Sequence, residues 1–154
     1  MKLGLISDTH DYLDPKIPGL FKGVKHILHA GDIGSPVILF ELESIAPVTA
    51  VSGNTDDPVF NYRPTQIIEL TGKKLLIHHI VNPHALTDEL TAQIARVRPD
   101  VVMFGHTHKP FRETIGGVLF FNPGYAGRQR FDLPRSVALL HCDKKEIRTE
   151  YLPL

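Results

Sequence analysis

Most of this chain consists of short apolar runs, each ending in a polar cluster. Lys2 to Ile6 is the first run and reads as a buried strand. Asp14-Pro15 offers an N-cap followed by proline at the first helical position, which predicts a short helix through Leu20 and Phe21. Ile27 to His29 is a second strand. Ser35-Pro36 opens another helix, in which Val37, Ile38, Leu42 and Ile45 recur at helical spacing. Pro47 ends it, and Val48 to Val51 is a third strand. Gln66 to Leu70 and Lys74 to His79 flank Thr71-Gly72-Lys73 as a hairpin. Thr87 caps a helix with Leu90, Ile94 and Val97 on one face, stopped before Pro99. Val101 to Phe104, Phe111 to Ile115, Val118 to Phe121 and Ser136 to His141 are further strands, with Gly116-Gly117 as a tight turn. Lys145 to Tyr151 closes the chain.

The first two thirds alternate strand and helix, which predicts parallel strands covered by helices. The last third is hairpins. A mixed α/β fold with two sheets accommodates both. No linker, repeat or low-complexity tract divides the sequence, so residues 1–154 are expected to form one domain.

Composition narrows the function. The 17 basic and 17 acidic residues cancel, and a neutral balance argues against a protein built to bind nucleic acid electrostatically. The one cysteine, Cys142, allows no intrachain disulfide and fits a reducing, cytoplasmic setting. The apolar start at Met1 to Ile6 is too short for a signal peptide. No stretch approaches the roughly 20 apolar residues that cross a bilayer, so no membrane partner is expected.

The polar clusters carry the chemistry. Ser7-Asp8-Thr9-His10, Gly31-Asp32, Gly53-Asn54-Thr55-Asp56, His78-His79 and Gly105-His106-Thr107-His108 each fall at the carboxyl end of a predicted strand. In α/β sheets those ends border the ligand crevice. Asp, Asn and His together offer the oxygen and imidazole donors that suit Mn, Fe, Co, Ni or Zn. Asp8-x-His10 and His106-x-His108 each put two donors two residues apart, able to splay toward two ions from a turn. A glycine precedes Asp32, Asn54 and His106, where it allows a sharp turn that aims the next side chain inward.

These motifs resemble those of the calcineurin-like metallophosphoesterases, and most closely the small bacterial and archaeal phosphodiesterases of that superfamily. Phe121-Asn122-Pro123-Gly124 is similar to an element the small members carry near their C-terminus. The resemblance implies a four-layer αββα sandwich of two mixed sheets flanked by helices. It implies two divalent ions, with Mn2+ expected and Ni2+, Fe2+ or Zn2+ as alternatives. Asp8, His10 and His108 would hold the first ion, Asn54, His79 and His106 the second, and Asp32 would bridge them. Asp32, Asn54 and His10 are the expected catalytic members. A metal-bridging hydroxide would attack a small phosphodiester. Homodimers or larger homo-oligomers also fit the resemblance. A non-catalytic scaffold on the same fold, or a phosphomonoesterase, are the competing readings.

This chain departs from the family pattern in three places. Thr55 stands where larger relatives have a histidine that protonates the leaving group; Asp56 or water is left as the acid. The central histidine reads His78-His79, with the strand register favouring His79 and leaving His78 and then His84 as fallbacks. Tyr125 follows Gly124, where small relatives often have serine. Charge counting favours a diester. Two divalent ions, two aspartates and a hydroxide sum to about +1, which about one negative charge balances. Arg128 and Arg130 add cations only if they face the ions. His29 reads as a core or supporting histidine, His26 as flanking a strand, His141 as structural, and Asp11 as a candidate support for His10.

Overall fold

A computed structural model describes residues 1–154. Ten strands form two five-stranded sheets. The first contains β1 (Lys2–Ile6), β2 (His26–His29), β3 (Val48–Ala50), β9 (Ser136–Cys142) and β10 (Ile147–Pro153), in the order β10-β9-β1-β2-β3. The second contains β4 (Thr65–Leu70), β5 (Lys73–His78), β6 (Val101–Met103), β7 (Phe111–Ile115) and β8 (Val118–Asn122), in the order β4-β5-β6-β8-β7. In each sheet three neighbouring strands run parallel: β1, β2 and β3 in one, and β5, β6 and β8 in the other. The antiparallel strands sit outside these parallel centres.

Alternation along the strands builds the layers, because successive side chains point to opposite faces. Leu3 and Leu5 of β1, Leu75 and Ile77 of β5, Val101 and Met103 of β6, and Leu119 and Phe121 of β8 meet between the sheets. The intervening Leu76, Val102 and Phe120 point the other way, onto Leu90 of α3 (Asp88–Val97). On the far side of the first sheet, Val137 and Leu139 pack with Ile17 of α1 (Ile17–Leu20) and with Ile38 and Leu42 of α2 (Val37–Glu43). The result is four layers: helices, sheet, sheet, helix.

Local signals set the ends of α3, while α1 and α2 shift: α2 runs Val37–Glu43 with Pro36, not Ser35, at its N-cap, no side-chain cap bond, and Ile45 beyond its end. The Thr87 side chain accepts from the Leu90 N–H at 3.2 Å and starts α3, which closes on Arg98 in a left-handed conformation before Pro99. Asp14 does not cap α1 directly. Its carboxylate accepts from the Lys16 N–H at 2.8 Å and from Arg135 Nη2 at 3.0 Å, so α1 begins later and is a single turn. The Asp14–Arg135 ion pair joins residues 121 positions apart, a contact that no local propensity encodes. No helix is long and apolar enough to cross a membrane.

Candidate metal centre

Because the parallel strands of each sheet share a direction, their carboxyl ends open on one edge. Asp8 and His10 follow β1, Asp32 follows β2, and Asn54 follows β3. His79 follows β5, and His106 and His108 follow β6. All seven converge. The donor atoms of Asp8, His10 and His108 form one group and those of Asp32, His79 and His106 another, each within 4.8 Å of one another.

In the first group, His108 Nε2 lies 3.3 Å from Asp8 Oδ1 and 3.4 Å from His10 Nε2. In the second, Asn54 Oδ1 lies 3.0 Å from His79 Nε2 and 2.9 Å from His106 Nδ1. Asp32 stands between them, its Oδ2 being 3.2 Å from His79 Nε2 and 3.7 Å from His10 Nε2.

The backbone makes this convergence by visiting a conformation that side chains avoid. Asp8, His10, Asp32, His106 and His108 all have positive φ, between 45° and 71°. Strain of this kind persists only where surrounding contacts fix it, and it gathers at functional sites. The fixing contacts join neighbouring loops within each sheet: the Asp8 N–H donates to Gly31 O at 3.0 Å and the His10 N–H to Asp32 O at 2.9 Å in the first, and the Gly105 N–H to His79 O at 3.0 Å in the second. Glycine serves a different purpose at Gly53 and Gly105 from the expected turn, since neither has positive φ. A Cβ on Gly53 would collide with Asp32, and one on Gly105 with Ser7 Oγ and Asp8 Oδ2.

Supporting groups leave the donors free. The His79 Nδ1 faces Ala30 O at 2.7 Å, which makes Nδ1 the donor and exposes the lone pair of Nε2 to the site. Asp8 Oδ2 accepts from Ser7 Oγ at 2.6 Å and the His106 N–H at 3.1 Å, whereas Oδ1 is buried without a hydrogen-bond partner. An orphaned carboxylate oxygen costs stability unless a cation or proton meets it. Asn122 donates from Nδ2 to Gly105 O at 3.0 Å and Thr107 Oγ1 at 3.2 Å, pinning the loop that carries His106 and His108. The Tyr125 ring stacks on His108 with centroids 4.6 Å apart, so tyrosine walls the first group; nothing in the structure pairs its buried hydroxyl.

Electrostatics follow from burial and neighbours. Burial opposes ionisation of Asp32, but hydrogen bonds from the His79 ring when protonated on both nitrogens and from the Thr55 N–H outweigh it and hold the carboxyl far below the usual range. Burial also opposes charge on His79, yet Asp32, Asp8 and Ala30 O together raise its pKa. For His10, desolvation wins over the two aspartates, and the Arg130 charge adds to the depression.

Other sequence candidates separate here. His78 Nδ1 meets Thr65 Oγ1 at 2.8 Å on the β4–β5 hairpin, and His84 Nε2 meets Glu113 Oε2 at 2.9 Å. Neither joins the donor groups. His29 is a fully buried core histidine: its Nε2 meets Thr9 Oγ1 at 2.9 Å, and its Nδ1 accepts from the Gly31 N–H. Asp11 is not a support for His10, because its carboxylate accepts from the Ser35 N–H. Asp56 accepts from the N–H groups of Ile33, Gly34 and Gly53, which makes it a loop brace and not an available acid. Arg130 lies over the Tyr125 ring beside the site, while Arg128 stacks on Tyr12. The Ala30 carbonyl and the Thr55 N–H escape any reading of residue types, since every residue carries them.

The calcineurin-like phosphoesterase superfamily domain matches residues 1–145. The chain belongs to this superfamily. It is 35 % identical over 159 residues to a probable metallophosphoesterase of Methanothermobacter thermautotrophicus, covering 99 % of this chain and 92 % of that one. It is 29 % identical over 167 residues to a phosphodiesterase of Methanocaldococcus jannaschii, covering 96 % and 97 %. The crystal structure of an Entamoeba histolytica Vps29 variant superposes with a TM-score of 0.77, covering 100 % and 99 %; at 20 % identity it shows the shared fold alone. As a calcineurin-like phosphoesterase, the chain presents two candidate metal-binding groups at the carboxyl edge of both sheets.

Proposed function

We propose that this protein hydrolyses phosphodiesters at a dinuclear metal site formed by Asp8, His10, Asp32, Asn54, His79, His106 and His108. The observation that carries the reading is the position of Asp32 Oδ2, within 3.2 Å of one donor group's histidine and 3.7 Å of the other's. One carboxylate oxygen shared by two groups suits a pair of ions better than two independent sites. The unpartnered Asp8 Oδ1 adds a negative oxygen aimed into the first group.

A pair of divalent ions bound there would supply Lewis acidity and an activated water for in-line displacement at phosphorus. The chain's own part is positioning. Asp32 stays ionised at any working pH, and Ala30 O fixes the His79 tautomer that offers Nε2. Asp8 and Asp32 leave a site of about one positive charge once two ions and a hydroxide are counted, which matches a diester monoanion. The relative that carries the name phosphodiesterase supports the same choice of substrate.

The reading is tested by assaying the Mn2+-loaded protein on bis(para-nitrophenyl) phosphate and on para-nitrophenyl phosphate, with and without a chelator. Chelator-sensitive turnover that favours the diester is expected. A protein that folds tightly yet turns over neither ester would favour the scaffold, and preference for the monoester would favour a phosphomonoesterase.

A further inference from the structure

A groove of about 450 Å³ opens beside the second donor group. His106 belongs to both: its Nδ1 faces Asn54, and its ring also lines the groove. Beyond it the walls are mostly apolar and aromatic. Phe104 and Phe111 pack with centroids 5.7 Å apart, and His84 meets Phe111 edge-on at 6.4 Å and 78°. The exposed Ile80 forms part of the wall, and Lys109 stands at the lining with its charge free of any ion pair. Glu113 engages His84 at 2.9 Å and so holds that ring in place.

Metal chemistry does not require this lining. An aliphatic residue left half exposed beside a histidine and two phenylalanines forms a slot for a flat apolar group. Its contact with the centre through His106 sets where that group comes from. A diester whose phosphorus faced both donor groups could pass one ester arm alongside the His106 ring into the slot. We propose that the groove binds a planar aromatic or heteroaromatic arm of the phosphodiester, with Ile80 and His84 as its specificity-determining residues. This rests on the diesterase reading above and names the class of ester that reading leaves open.

The experiment compares kcat/KM for bis(para-nitrophenyl) phosphate with that for methyl para-nitrophenyl phosphate, which share a leaving group. Taking the ratio between protein variants cancels the esters' intrinsic reactivities. In Ile80→Ser and His84→Ala the ratio should fall about tenfold, mostly through KM of the diaryl ester, which is the size expected for losing part of an apolar pocket. Phe40→Ser, on the exposed face of α2, should leave the ratio as in the wild type. A ratio unchanged in both groove variants overturns the inference. Binding is read separately, by following the Ile80 and Val81 methyl signals while phenylphosphonate or methylphosphonate is added to the Mg2+-loaded protein. Shifts with phenylphosphonate alone support the groove; equal effects from both, or none, overturn it. If the wild type cleaves neither ester, the diesterase reading fails, and the methyl signals alone decide whether the groove takes an aromatic group.

Discussion

Asn54 Oδ1 lies 3.0 Å from His79 Nε2, although the two residues follow edge and inner strands of different sheets. Nothing local brings them together. Their meeting depends on how the two sheets face each other through Leu28, Val51, Leu75 and Ile77. The core between the sheets therefore acts as the ruler of the site.

Asn54→Ala removes one oxygen donor while leaving this core untouched. Metal analysis should show about one ion fewer per chain, and diester turnover should fall by about 10²–10³-fold, the usual loss when one stabiliser of developing charge is removed. Asn54→Asp, which keeps an oxygen at the same place, should hold both ions.

Gly105→Ala tests the close approach of loops. The added Cβ meets Ser7 Oγ and Asp8 Oδ2, so Asp8 must shift and its orphaned oxygen with it. Metal affinity should drop by about 10–100-fold, as when a ligand's supporting contacts are lost. Thermal melts with and without Mn2+ measure this: the metal-induced rise in Tm should shrink.

How much of this was legible in the sequence depends on the kind of information needed. Strand positions were, because β1, β5, β6 and β8 are short apolar runs bounded by polar clusters, whereas which residue faces which layer was not, since both faces of these strands are buried. The convergence of Asp8, Asp32, Asn54, His79 and His106 was also legible, because each stands at the carboxyl end of a strand. The supports were not. Asp11 reads in the sequence as a support for His10 and Asp56 as an acid, yet backbone N–H groups claim both. Which amides lie near a carboxylate depends on loop packing, and residue type carries no trace of it. The partner of Asp14, the distant Arg135, was equally invisible.

His29 gives the fold a pH dependence set chiefly by its burial. Burial lowers its pKa from 6.5 to about 4, with the charges of Asp8 and Asp56 opposing only in part. Between those values the unfolded chain binds a proton that the folded one refuses. The His29 contribution to stability should therefore fall as pH drops from about 6.5 toward 4, by about 3 kcal/mol, and change no further below that. Urea unfolding in the presence of chelator measures this, and His29→Gln should lose that part of the slope.

Leaving-group dependence should be steep. Thr55 stands where a histidine acid would be, and its N–H donates to Asp32 Oδ1 at 2.9 Å. Asp56 is committed to three amides. Neither Thr55 nor Asp56 is placed to protonate a departing alkoxide, so aryl diesters should be cleaved far faster than alkyl diesters. A series of diesters with graded leaving-group pKa measures this. Asp56→Asn should lower stability without flattening the series.

The central claim is that two ions share Asp32. Its most direct test is to titrate Mn2+ into metal-free protein while counting bound ions and following diester turnover on the same samples. Binding should saturate at about two ions per chain, with turnover appearing as the second site fills and vanishing on chelation. Saturation at one ion with full turnover, or turnover that survives chelation, would contradict it.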